Sequence, residues 1–263
     1  MTDINNASAV PSLPTMKIYD WYDGPYPARV RIALAEKGLL SEVEFIPVNL
    51  WKGEHKKPEF LAINYSGTLP VLALNDGTLI AECTAITQYL DVLDDNPVLT
   101  GVTPVEKGVI HMMTKRAEIE FLDAVSVYFH HATAGLGPEV ELYQNAEWGK
   151  KLREKAIRGM HYFDGVLRSQ PYIAGNTFSM ADIAVTGGMI FSALVSLSVP
   201  DECRALKAWY ANIQRRPCYQ QWQALVGAGR PVLILNYRLL RLQARLHHKA
   251  RLIKNPGNAS GVF

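Results

Sequence analysis

At 263 residues, with 48% hydrophobic and 20% charged side chains, the chain is long enough to bury a core in two modest domains without covalent staples. Its three cysteines, Cys83, Cys203 and Cys218, are far apart and lack CxxC or Cys/His spacing, which excludes a disulfide framework or zinc ribbon and predicts a reduced compartment and no metal site. The formal charge of +2 averages two unlike parts: seven basic and no acidic residues from Arg230 to Phe263, and 20 basic against 25 acidic elsewhere, which argues against nucleic acid as the main partner.

In chain order, Met1 to Thr15 carries Asp3 and no Lys or Arg, a poor targeting signal, and is expected to be a disordered lead-in. Lys17 to Asp20 predicts a strand, Trp21 to Pro25 a turn, and Pro27 to Gly38 a helix with Val30, Ala33 and Leu34 on one face and Gly38 as its stop. Val43 to Val48 predicts a second strand, parallel to the first through the crossover helix. Val71–Leu74 and Thr78–Ala81 form a hairpin around Asn75-Asp76-Gly77, where Asp-Gly supplies the turn. A helix over Thr84 to Leu93 completes a βαβ-ββα domain over residues 16–95. Residues 96–104 are the linker, and 105–226 an all-helical domain with helices over Val105–Thr133 and Glu147–Leu167. Ser179 and Asp182 form a Ser-x-x-Asp cap before the apolar run Ile183 to Leu197. Residues 227–263 form a basic extension in which Val232 to Ala250 has helical apolar spacing; a peripheral role and a membrane-surface or partner contact both stay open. No window approaches the 18 uncharged apolar residues of a membrane span.

Two local features point to a ligand. Leu69-Pro70 stands directly before a strand, where a cis bond would turn the Leu69 backbone N–H and C=O away from the sheet, toward a peptide-like partner. The helix start at Glu82-Cys83-Thr84 offers unpaired N–H groups to a carboxylate. A small peptidic anion suits both.

Gly67-Thr68-Leu69-Pro70-Val71-Leu72 followed by Glu82-Cys83, together with PYPARVRIALAEK, NLWKGEHKKPEFLA, GTLIAECTAIT, EKGVIHMM, VSVYFHHAT and GLGPEVELYQN, resembles the cytosolic glutathione S-transferases, their fungal members above all, from about Lys17 to Pro217. The resemblance implies a thioredoxin-like domain followed by a helical one, with glutathione as co-substrate, an electrophilic small molecule as second substrate, a homodimer, and a cytoplasmic location with mitochondrial association left open. By the same likeness glutathione lies along Leu69 and Pro70, Glu82 meets its γ-glutamyl ammonium, the Cys83 position its γ-glutamyl carboxylate, and His55 and Lys52 its glycyl carboxylate. Relatives usually carry Ser where Cys83 stands.

Relatives also place a Ser or Cys at the first-helix start against the glutathione sulfur, and Gly24 occupies that position. The absence weakens a thiol-reductase reading. A thiol of ordinary pKa is only a few per cent ionised at neutral pH, so the thiolate is expected to be favoured by the first-helix N-terminus, with Gly24, Tyr26 and Ala28 as N–H donors. Ser126 and His130, four residues apart on one helical face, would hold a water that takes the proton, whereas His131 is turned about 100° away. Tyr26 is expected to pack or cap. The bland alternatives are a solvated loop for Lys52 and His55, a buried hydrophobe for Cys83, and a back-bonded Ser with a core His for Ser126 and His130. A non-catalytic glutathione-binding module and a glutathione-dependent peroxidase remain as alternative functions.

Overall fold

The structure, a computed structural model, describes residues 16–229; the expected lead-in and the basic helix over Val232 to Ala250 lie outside the described residues. β1 (Met16–Asp20) pairs in parallel with β2 (Val43–Pro47), and α1 (Pro25–Glu36) is the crossover between them. Pro25 stands at the helix start, where its missing N–H costs nothing, and Gly38 at φ 69° lets Leu39 N–H reach Leu34 O at 2.8 Å to close the end. β3 (Val71–Ala73) and β4 (Leu79–Ala81) form the antiparallel hairpin, giving the sheet order β2-β1-β3-β4. α3 (Cys83–Asp91) follows β4, and the short α2 (Pro58–Leu61) lies between β2 and β3. Ile18 and Leu72 of the sheet bury against Val30 and Leu34 of α1 and Ile86 and Leu90 of α3, while Phe60 of α2 covers Val71 on the opposite face.

The linker is tied down. The Asp91 carboxylate accepts the N–H groups of Val98, Leu99 and Thr100 at 2.8–3.1 Å. The helix after it, α4 (Pro104–Ala117), starts with a Thr103/Glu106 capping box, a Thr-x-x-Glu signal carried by the sequence. The single long helix expected over Val105–Thr133 is interrupted: a π-helical turn (Glu118–Leu122) separates α4 from α5 (Asp123–Ala132). Two neighbours press on this turn. A Cβ at Gly159 of α6 (Ala146–Leu167) would lie 2.5 Å from Glu120 O, and one at Gly188 of α7 (Met180–Leu194) would lie 2.5 Å from the Phe121 ring. Both α6 and α7 pack on the wide turn, and such π-bulges are frequent at functional sites.

Asp182 caps α7 as expected, accepting the Ser179 N–H at 3.0 Å, and also takes Ile173 N–H and the Trp209 indole N–H from α8 (Arg204–Ile213). α9 (Pro217–Gly229) packs back on α1. Helix α1 thus serves two cores, turning Val30 and Leu34 to the sheet and Ala28, Ile32 and Ala33 to the helical domain. That shared helix carries its N-terminus to the junction of the two domains.

Candidate active site

A cleft of about 900 Å3 opens at that junction. On its sheet side run Leu69 and Pro70, whose peptide bond is cis, and among the described residues neither the N–H nor the C=O of Leu69 finds a backbone partner. Gly67 at φ 58° makes the turn before them, and a Cβ there would lie 2.7 Å from His55 O. Glu82 and Cys83 line the cleft at the start of α3. Glu82 holds φ 69° and ψ 121°, sparsely populated for a residue with a side chain, and its exposed carboxylate makes no cap bond to the helix.

The start of α1 forms the next wall. Of the three N–H groups expected as donors, that of Gly24 is spent on Trp21 O at 3.0 Å and that of Ala28 on Gly24 O at 2.9 Å, which leaves Tyr26 N–H. Gly24 itself has φ −63° and ψ 139°, extended backbone open to any residue, so its constraint is space: a Cβ would meet the Pro27 ring at 3.0 Å. The Tyr26 hydroxyl donates to Asp123 Oδ1 at 2.7 Å, and burial together with that carboxylate pushes its pKa well up. Tyrosinate chemistry is therefore disfavoured. The Cys83 thiol donates to Tyr26 O at 3.3 Å, and burial raises its pKa to about 11. Its side chain is thus occupied with α1, and the Cys83 backbone N–H remains for an anion.

Ser126 and His130, one turn apart on α5, both face the cleft. His130 Nδ1 lies 2.7 Å from Glu141 Oε1, a partner from the loop after α5. From the loop after β2, His55 and Lys56 line the cleft and Lys52 does not. Asn49 Oδ1 captures the Lys52 N–H at 3.1 Å, and Gly53 at φ 62° then reverses the chain. The reversal delivers the next turn, Glu54–Lys56, to the cleft. His55 is 4% exposed, its Nδ1 has no hydrogen-bond partner among the described residues, and burial lowers its pKa to about 4, so at neutral pH it is uncharged. Lys56 Nζ donates to Gly67 O at 3.0 Å.

A model of the glutathione S-transferase N-terminal domain matches residues 23–93, and a model of the glutathione S-transferase C-terminal domain matches residues 118–217. The chain belongs to the glutathione S-transferase family. Glutathione S-transferase 2 of Saccharomyces cerevisiae is 72% identical over 202 residues, 77% of this chain and 87% of that protein. The crystal structure of Gtt2 from the same yeast superposes with a TM-score of 0.78 at 70% identity, covering 78% of this chain and 99% of that one. A glutathione S-transferase domain-containing protein of Marinobacter aquaeolei is 47% identical with a TM-score of 0.75, covering 77% and 99%.

Within this glutathione S-transferase, the structure adds residues that sequence reasoning did not single out. Arg29 of α1, buried, donates to Glu118 Oε1 at 2.8 Å and Thr84 Oγ1 at 3.2 Å, and Thr84 donates to the same Glu118 oxygen at 2.6 Å. One carboxylate from the π-turn therefore clamps α1 to α3. Asp123, Lys56 and Glu141 are further cleft residues of this kind. Lys56 has a local signal in the Gly53 that turns its loop, and Glu141 meets Leu136 and His130 5 and 11 residues away, whereas the Arg29, Thr84 and Asp123 contacts span 34–97 residues. Among the described residues no His/Cys/Asp/Glu cluster suits a metal, and no helix is long and apolar enough to cross a membrane.

Proposed function

We propose that this glutathione transferase uses the cleft to add the glutathione thiolate to electrophilic small molecules, a detoxifying conjugation. The observation that carries the reading is the meeting, in one cleft, of the Leu69 backbone, which has no backbone partner among the described residues, the Tyr26 N–H at the α1 start and the Ser126/His130 face of α5. In this reading the tripeptide pairs with Leu69, Glu82 meets the γ-glutamyl ammonium, and the Cys83 N–H meets the γ-glutamyl carboxylate. The glycyl end lies toward His55 and Lys56 in place of Lys52. The sulfur then sits near Tyr26 N–H, whose partial positive charge favours the thiolate, and a water held by Ser126 and His130 receives the proton.

Calorimetry with glutathione and turnover of an aryl halide test it together. Binding with turnover is expected, and Ser126→Ala, His130→Ala and the double variant should be strongly non-additive in kcat/KM. Binding without turnover would favour a non-catalytic module, and peroxide reduction without aryl-halide turnover a peroxidase.

We further infer a cytoplasmic homodimer of the fungal type. Val105, Val109, Met112 and Ile119 on the α4 side and Leu79 and Tyr65 on the sheet domain are exposed apolar residues, Tyr65 at 92%. Such faces suit a partner subunit's covering. A stable monomer at micromolar concentration in light scattering would overturn the dimer.

A further inference from the structure

We propose that Glu141 is a positioning residue for the transferase reaction: its carboxylate holds Nδ1 of His130 and so fixes the tautomer in which Nε2 accepts a proton. The inference rests on the reading that His130 takes the thiol proton through a water. A carboxylate can only accept, so the 2.7 Å contact requires the hydrogen on Nδ1 and leaves Nε2 as the neutral ring's acceptor. This is the arrangement by which a carboxylate makes an imidazole an oriented base.

Several independent contacts build the site around that pair. The same Glu141 oxygen accepts Leu136 N–H at 2.8 Å, which fixes the carboxylate from behind. Gly135 holds φ 54°, and a Cβ there would run into the Glu141 side chain, so the turn is shaped to admit it. Gln144 Nε2 donates to His130 O at 2.6 Å and Thr133 O at 2.9 Å, and Asn145 N–H donates to His131 Nδ1 at 3.1 Å. The loop thus closes over the end of α5. Phe129 sets its ring edge-on to His130 at 4.9 Å.

The charges facing the pair agree with the role. Burial works against the charged form of Glu141, yet the His130 bond and Leu136 N–H hold its carboxyl below the usual range, so it stays an acceptor. From the facing domain, burial keeps His55 neutral, and Lys56 and Arg29, the latter paired with Glu118, are cations of the cleft; on α5 itself Asp123 accepts the Tyr26 hydroxyl. On its own helix, His131 turns to Asn145. In the step itself the thiol S–H proton passes to the water while the water's proton passes to Nε2. The products are a thiolate and an imidazolium, and the imidazolium lies against the Glu141 carboxylate.

The test compares wild type, Glu141→Gln, His130→Ala and Gln144→Ala with glutathione and an aryl halide from pH 5.5 to 9, alongside nitrogen NMR of labelled histidines. Glu141→Gln keeps an oxygen for Leu136 N–H but removes the charge. It should lower kcat about tenfold, part of the ~10^2-fold or more that a positioned acid–base group contributes, with KM for glutathione nearly unchanged. Without the carboxylate charge the imidazolium formed in the step is less stable, so the acid limb of the rate profile should move to lower pH, and because the amide oxygen that remains is a weaker acceptor than a carboxylate, the Nδ1-protonated signature of His130 should weaken. Gln144→Ala loosens the same loop without touching the ring and should keep the wild-type limb and signature. Two results would overturn the inference: Glu141→Gln matching wild type while His130→Ala is impaired, or Gln144→Ala reproducing the Glu141→Gln shift, which would reduce Glu141 to a loop staple. Full activity in His130→Ala would instead remove the proton-acceptor reading, and the inference with it.

Discussion

Glu82→Gly should make the protein more stable and a poorer glutathione binder at once. The φ of 69° and ψ of 121° at Glu82 place a side-chain-bearing residue where backbone strain costs about 1–3 kcal/mol. Glycine removes that strain but gains about 0.4–1 kcal/mol of unfolded-chain freedom, so the net stabilisation is about 1 kcal/mol. For a chain of this size that raises Tm by about 2–4 °C. The same substitution deletes the carboxylate assigned to the γ-glutamyl ammonium. A hydrogen bond to a charged group contributes about 1.5–3 kcal/mol, and because Glu82 is exposed the lower end applies, so Kd should rise about tenfold. Glu82→Ala separates the two effects, since it loses the carboxylate and keeps the strain. Differential scanning fluorimetry and glutathione calorimetry on the three proteins make the measurement. Wild-type affinity in both variants would refute the contact, and a glycine variant no more stable than the alanine variant would refute the strain.

Gly24→Val should fold and lose turnover about 10–100-fold, because its side chain must displace the Pro27 ring and with it the α1 start; wild-type turnover would mean that α1 does not approach the sulfur. Gly188→Ala places a Cβ 2.5 Å from the Phe121 ring in the π-turn and should cost about 1–3 kcal/mol in denaturant unfolding. Alkylation of the native protein at pH 7 should modify none of the cysteines, since all three are buried, with burial raising Cys83 to about 11 and Cys218 to about 12 and Cys203 above its usual value. Rapid labelling of Cys83 would reopen a thiol-based mechanism.

Much of the sheet domain was legible because its signals are local. Asp-Gly at the hairpin, Gly38 after α1 and proline before β3 each fix a backbone choice within a few residues, and the expected βαβ-ββα order is observed with one addition, the short α2 between β2 and β3. The same holds for Ser179 and Asp182, a cap defined by spacing alone, although the Trp209 indole on the same carboxylate comes from 27 residues on. The break in the long helix is hidden because apolar period continues through the π-turn, and the close approaches on that turn come from Gly159 and Gly188 of other helices. Likewise nothing near Cys83 announces that its thiol bonds to a carbonyl 57 residues away, or near Tyr26 that its hydroxyl meets Asp123, 97 residues on.

The α1 terminus shows why a site of this kind draws on both domains. A helix start favours an anion through its unpaired N–H groups, yet here prolines at positions 25 and 27 have none, and those of Gly24 and Ala28 are spent on the backbone. One N–H, that of Tyr26, is left, so the charge at this terminus is real but weakly delivered. Tyr26 cannot supplement it with its hydroxyl, which burial and Asp123 keep protonated. In the proposed function, a thiol brought here takes help with its proton from outside the sheet domain. Across the cleft, α5 offers a hydroxyl at Ser126 and an imidazole at His130, and the carboxylate of Glu141 stands behind that imidazole. Because α1 packs into the helical core as well as the sheet, the donor and the acceptor are held by one rigid helix contact, and any substitution that tilts α1 should change thiol ionisation and electrophile access together.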